Sequence, residues 1–464
     1  MDSVKCVVSD YKKECSGCHA CYDACPTGAI TMEEDVEGFW YPCVNESKCI
    51  HCGRCVKVCQ IFNTKKQEGT ISTEAYACLN QNTEERLASS SGGLFILLAK
   101  QVLDKDGVVF GAAFDDHMEL RHTYATDLGG CRAFMGSKYL QSRIGMAYAD
   151  AKRFLVKGRW VLFTGTPCQI HGLKLFLGRD YEKLIAVDLA CHGVPSPAVF
   201  RKYLSDLEKQ QGSPIDSFNF RSKKGGWGSF EVKAPFKSRK NVKESKADNF
   251  DNSKKDAHSI LKCSMTDSNP VVISPKRTAF FVDFNNVTAK EKSLEIIINP
   301  FIPKPGLAHQ LRSMIPKPIK MMVKKALKKN KPESQVQRDD GISWKDYSLE
   351  IIFANGHGKR IPHGESAFMK GFLADLYLRP SCYGCRNKGE QRYSDLTLAD
   401  YWGVEGRDPD MDDDQGTSAV LVHTEKGKRL LKLISKDVKT KPADLSYIYQ
   451  CNPSLVKNAE ELQK

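Results

Sequence analysis

Two runs of cysteine carry the first chemistry legible in this chain. CSGCHACYDACPTGAI, residues 15–30, sets cysteines at 15, 18, 21 and 25, with Pro26 after the last. CIHCGRCVKVC, residues 49–59, repeats the spacing at 49, 52, 55 and 59, offset by 34 residues. A C-x2-C-x2-C segment wraps three thiolates around one 4Fe-4S cube, and a fourth ligand arrives from elsewhere. Where two such runs are paired, the last cysteine of each closes the other's cube. That rule groups Cys15, Cys18, Cys21 and Cys59 at one cluster, and Cys49, Cys52, Cys55 and Cys25 at the other. Gln60 stands where a proline would usually follow the second run. His19 and His51 fall between the ligands, but histidine-ligated centres use a different spacing, so neither is expected to bind iron.

Two clusters in so short a segment make a wire for single electrons, and a wire needs a terminus. In VLFTGTPCQIHGLKLFL, residues 161–177, an apolar strand ends at Gly165, Thr166 suits a helix cap, Pro167 the first helical position and Cys168 the first turn. Free N–H groups there could hold a phosphate and would lower the Cys168 pKa toward thiolate. Cys191 lies in DLACHG, while Cys382 and Cys385 form a C-x2-C; with Cys168 they make four. A lone C-x2-C fits zinc, redox thiols or half of a cluster site equally. LASSSGGLFILLA, residues 87–99, offers hydroxyls and unhindered backbone to an anion, although a serine-rich helix start accounts for it as well. Neither the phosphate loop G-x-x-x-x-G-K nor the dinucleotide G-x-G-x-x-G is present at the Gly-Thr-Pro-Cys turn.

Taken in order, SSSGGLF, GVVFGAAFD, GSKYLQS, GTPCQIHGL, DLACHGVPSP and RPSCYGCRN followed by SDLTLADYWG resemble the beta-subunit family of deazaflavin (coenzyme F-420) hydrogenases and dehydrogenases. The resemblance is to the bacterial form with an N-terminal two-cluster ferredoxin domain, and it covers nearly the whole chain outside 237–340. It implies FAD beside the iron–sulfur clusters, and a third 4Fe-4S cluster at Cys168, Cys191, Cys382 and Cys385. Flavin contacts are then expected from Ser90, Ser91, Gly92 and Gly93, from Gly136, Ser137, Lys138, Tyr139, Gln141 and Ser142, and from Thr166. Lys138, as a cation beside the flavin or its pyrophosphate, and His192, as a proton relay, are the catalytic candidates, with Asp400 a further one. The implied activity is an iron–sulfur flavoprotein oxidoreductase. It couples one-electron transfer through 4Fe-4S clusters to hydride chemistry at FAD, with an organic or deazaflavin-like acceptor. The other reading is a non-catalytic electron-transfer subunit or adaptor delivering electrons to a partner enzyme, in a family that often accompanies polysaccharide biosynthesis. Expected partners are an electron-exchanging protein such as a ferredoxin or partner enzyme, and a small-molecule redox substrate.

These residues need elements to hold them. From about residue 72 apolar runs alternate between helical and strand spacing: SGGLFILLAKQVL helix, GVVFGAAF strand, MAYADAKRFLVKG helix, WVLFTGT strand, PCQIHGLKLFLG helix, KLIAVDLAC strand and PAVFRKYLSDLEKQQG helix. A strand, SAVLVHT, and a helix, KGKRLLKLISK, close the series. The expected class is a multidomain α+β or α/β protein with a ferredoxin-like module over 1–65, and the resemblance implies that the mixed α/β domain over 72–205 binds a flavin. A C-terminal-like domain follows over 206–236 plus 341–445, interrupted by a basic insertion or linker at 237–340. GGWGSFEVKAPFKSRK and GISWKDYSLEIIFANGHGK, flanking that insertion, read as neighbouring strands of one sheet.

The net charge of +13 is local, because residues 237–338 hold 22 Lys and Arg against 9 Asp and Glu, the whole excess. After Pro318, Ile319, Met322, Val323, Ala326 and Leu327 share one helical face among lysines, a pattern suited to an anionic membrane surface or an acidic partner, and equally to a solvated charge run. Aromatic residues are not interleaved with these lysines, so nucleic-acid binding is not expected. Eighteen cysteines without a signal-like start suggest reduced thiols and a cytoplasmic protein. Cys6, Cys43, Cys78, Cys131, Cys263 and Cys451 lack ligand spacing and read as structural.

Overall fold

The computed structural model describes residues 11–63, 70–224, 228–231 and 344–461. They belong to one compact unit, Met1–Phe236 with Glu333–Lys464. The basic insertion and its amphipathic stretch, with Cys6 and Cys263, lie outside the described residues. Among those described, no helix is long and apolar enough to cross a membrane.

The cysteine-rich segment folds as two short helices, α1 (Ala20–Asp23) and α2 (Arg54–Lys57), and an antiparallel pair, β1 (Ile30–Glu34) and β2 (Trp40–Val44). Four-residue helices are too short to be stable alone, so packing must hold them. Ala20 and Val58 supply it by joining the apolar cluster of the larger body behind them.

That body is built on an eight-stranded sheet. Its strands are β3 (Thr70–Asn80), β4 (Val108–Phe114), β5 (Leu120–Ala125), β6 (Val161–Gly165), β7 (Leu184–Leu189), β12 (Leu396–Asp400), β13 (Ser418–Thr424) and β14 (Val438–Pro442), in the order β14-β3-β13-β12-β7-β6-β4-β5. The four central strands, β12, β7, β6 and β4, run parallel, and antiparallel strands flank them. Every residue of β6 is buried, as expected for a parallel strand covered on both faces. Two short helices, α3 (Thr83–Leu87) and α5 (Leu128–Cys131), follow β3 and β5. Along β4 successive side chains alternate: Val109 joins the core under α4 (Leu94–Leu103), while Val108 and Phe110 join the core under α6 (Ala147–Val156) and α7 (Pro167–Leu177). Full burial of each such side chain contributes about 1.5–3 kcal/mol.

A four-stranded antiparallel sheet packs beside α8 (Pro197–Gln211), Phe200 meeting Phe218 and Phe220, in the order β8 (Ile215–Ser222), β10 (Ser348–Phe353), β11 (His357–Pro362), β9 (Gly228–Glu231). Thus the two segments flanking the insertion do share a sheet, β9 pairing with β11. The boundary expected between 72–205 and 341–445 is crossed by the large sheet, since β12 pairs with β7 and β13 with β3. The two segments therefore share one core rather than forming two.

Candidate metal centre

Around α1 and α2 the eight N-terminal cysteines fall into two groups. In the first, burial pushes the Cys21 thiol well above its ordinary value, and the neighbouring Cys18, Cys15, Cys59 and, from the second group, Cys55 push it further. Burial likewise raises Cys59 to about 12, with Cys18 and Cys15 close by. The second group, Cys25, Cys49, Cys52 and Cys55, lines a small open pocket walled by Ile30, Val44 and Ile50. The Ala29 N–H donates to Cys25 Sγ at 3.2 Å. Crowded thiols, some of them buried, resist ionising together without a compensating cation, and this donor set fits a 4Fe-4S centre. His19 is buried, its pKa lowered to about 3 by burial and then by Arg143 and Arg379. The exposed His51 sits with Glu46 and Cys49 on the rim of the second group, their donor atoms within 4.8 Å of one another.

A third group forms where the sheet's loops meet. Thr166 caps α7, its N–H donating to Gln169 Oε1 at 3.0 Å, and its hydroxyl lies 3.2 Å from Cys168 Sγ. Cys191 follows β7, and Cys382 lies on the short helix Pro380–Tyr383. The Val194 N–H donates to Cys382 Sγ at 3.4 Å. Cys168 feels Cys385 and Cys191, Cys191 feels Cys382 and Cys385, and Cys382 feels Cys168 and Cys385. The thiolate expected from the helix start is not what the surroundings favour. Burial first, then Cys385 and Cys191, push the Cys168 thiol up, and burial raises Cys191 and Cys382 to about 12. Desolvation outweighs the helix terminus here, so these thiols too suit a cationic occupant better than a free nucleophile.

The first and third groups are neighbours, since Cys18 acts on Cys168. α7 passes Cys18 at Gly172, where any Cβ would lie 3.0 Å from the Tyr148 hydroxyl and 3.1 Å from Cys18 Sγ. Gln60 is buried and donates to Ser16 Oγ at 2.7 Å and to the Cys168 carbonyl at 3.3 Å. Its Oε1 accepts from Asn387 at 2.6 Å, and Asn387 Oδ1 accepts from His171 Nδ1 at 2.8 Å. Sequence reasoning noted Gln60 only as a missing proline, and it passed over Arg379 in RPSCYGC altogether.

The residues expected at a flavin divide. Two loops meet where the Ser137 N–H donates to Ser90 Oγ at 2.5 Å. Tyr139 packs on Phe372 at 5.3 Å between ring centres, and Phe372 packs edge-on against His192, also at 5.3 Å. His192 is paired with Asp375 at 2.5 Å. Others are engaged elsewhere. The Ser91 hydroxyl donates to the Thr417 carbonyl at 2.7 Å, and Gly92 is hydrogen-bonded to Ser418 and Asn80. Gly93 begins α4 at φ 76°. Lys138 Nζ donates to Met135 O at 2.8 Å and to Gly136 O at 3.2 Å. Gln141 donates to Ser16 O at 2.7 Å, Ser142 partners His122 and Gln169, and Asp400 pairs with the buried Arg221. Beneath the Ser-Ser-Ser-Gly-Gly loop Arg86, on α3, is 4% exposed; it pairs with Asp413, yet its Nε and Nη1 have no hydrogen-bond partner among the described residues.

Cys78, on β3, and Cys131, at the end of α5, are fully buried in the sheet's core, consistent with packing roles.

Residues 14–61 match the 4Fe-4S dicluster domain, and residues 158–267 and 318–446 match the family described as the C terminus of the coenzyme F420 hydrogenase/dehydrogenase beta subunit. The latter match spans more than half of the chain, and the chain belongs to that family. The F subunit of F(420)H(2) dehydrogenase from Methanosarcina mazei is 20% identical over 182 residues, 37% of this chain and 51% of its own, so the chain spans about half the length of that curated relative. A solved chain of the xenon-derivatised F420-reducing [NiFe] hydrogenase complex from Methanosarcina barkeri aligns over 85% of this chain and 92% of its own, at 12% identity and a TM-score of 0.39. At that score the likeness supports no functional conclusion.

Proposed function

We propose that this chain is an iron–sulfur flavoprotein oxidoreductase that moves single electrons between its N-terminal cysteine groups and a two-electron site in the α/β body. The observation that carries this is the third cysteine group: Cys168, Cys191, Cys382 and Cys385 gather beside the first group, extending the line of metal donors into the large domain. When bound, the clusters supply one-electron steps and FAD interconverts these with hydride chemistry.

The chain's own residues do the positioning. The Val194 N–H would steady Cys382 as a thiolate, as the Ala29 N–H would Cys25. The two loops joined through Ser90 and Ser137 would flank FAD, and the Nε and Nη1 of Arg86, without partners among the described residues, fit a pyrophosphate, since a buried guanidinium with idle donors is costly without an anion. Asp375 holds His192 oriented for proton transfer. The proposed acceptor is organic or deazaflavin-like, from the coenzyme in the Methanosarcina mazei relative's name. That relative is also named as a subunit, which favours a second reading: an electron-transfer subunit serving a partner's active site.

Acid release of the cofactor from anaerobically purified full-length protein separates the two. About one FAD per chain is expected. No flavin in protein that retains its iron would overturn the flavoprotein and leave the electron-transfer subunit.

A further inference from the structure

Arg379 opens the helix that bears Cys382, and it is 1% exposed. Its backbone belongs to the third group: its N–H donates to the Val194 carbonyl at 2.9 Å, and its carbonyl accepts from the Cys382 N–H at 2.8 Å. Its side chain ends in the first group. Nε donates to the Cys15 carbonyl at 2.7 Å, Nη2 to the Trp40 carbonyl at 2.9 Å and toward Cys15 Sγ at 3.9 Å, and Nη1 to Gln141 Oε1 at 3.0 Å. The Tyr41 ring centre lies 4.3 Å from the guanidinium.

None of these partners is a carboxylate. A guanidinium stays charged at every accessible pH, and burying that charge among neutral groups is unfavourable unless something anionic lies near. Room has nevertheless been made for it. Gly17, between Cys15 and Cys18, has φ +61°, and a Cβ there would lie 2.7–2.9 Å from the guanidinium atoms. The missing anion is at hand if both cysteine groups hold clusters, because a 4Fe-4S cube with four thiolates is net negative and gains one more negative charge with each electron accepted.

We propose that Arg379 is a potential-setting cation shared by the first and third cysteine groups, making reduction easier at both and linking them into one electron path. This rests on the third group holding a cluster. The test is an EPR-monitored redox titration, with iron analysis, of the anaerobically purified full-length protein and of its Arg379→Gln, Arg379→Lys and Gln141→Glu variants. Arg379→Gln should shift the midpoints of two centres to more negative potential, while Arg379→Lys stays near wild type. Gln141→Glu sets a carboxylate beside the intact guanidinium, so it should move the first centre the same way even if Arg379→Gln fails to fold. Unchanged midpoints in a Gln variant with full iron, or in Gln141→Glu, would overturn the proposal. So would equal shifts in the Lys and Gln variants, which would mark Arg379 as a neutral staple. If unmutated protein carries only about eight irons, the third cluster is lost as an assignment and the shared role with it. That failure is read from the wild type alone, apart from any variant.

Discussion

Gln60 occupies the position after the last cysteine of the second run, where a proline could make none of the three amide contacts seen here. Its side chain joins Ser16, the Cys168 carbonyl and Asn387, so it sews the cysteine module to the α/β body at the point where two cysteine groups approach. Replacing it by leucine leaves the buried Asn387 amide and the Ser16 hydroxyl without that partner, at a cost of about 1–3 kcal/mol. Gln60→Leu should therefore lower the denaturation midpoint of otherwise iron-replete protein, and an unchanged midpoint would refute its role as a tie. The cysteines themselves were legible because their spacing is local and chemically restrictive. Gln60 and Arg379 were not, since their importance comes from partners more than 100 residues away.

α7 shows how an element transmits this arrangement. Its N-terminus presents Cys168, and one turn later Gly172 lets the helix lie against Cys18 and Tyr148. Gly172→Val has no space for its branches, and overpacking of this kind costs about 1–3 kcal/mol. A lower melting temperature and less iron per chain are expected; wild-type values for both would contradict the close fit. Helical and strand periodicity located α4, α6, α7 and α8 and strands β4, β6, β7 and β13, because these elements are long and strongly apolar on their buried faces. What periodicity could not give is the return of β12, β13 and β14 to a sheet begun by β3. Pairing between strands some 340 residues apart leaves no local pattern.

For the molecule as a whole, membership of the coenzyme F420 hydrogenase/dehydrogenase beta-subunit family and a 4Fe-4S dicluster domain establish the setting. The basic residues that dominate the composition lie at 237–340 in the sequence, apart from the three cysteine groups. The central claim is that the line of clusters continues into the large domain through Cys168, Cys191, Cys382 and Cys385. Iron and labile sulfide, counted on anaerobically purified wild type and Cys382→Ser, test it most directly. The account predicts about twelve irons in the wild type and about eight in the variant, with the N-terminal clusters retained. About eight in both would contradict it, and would end the electron path at the N-terminal module.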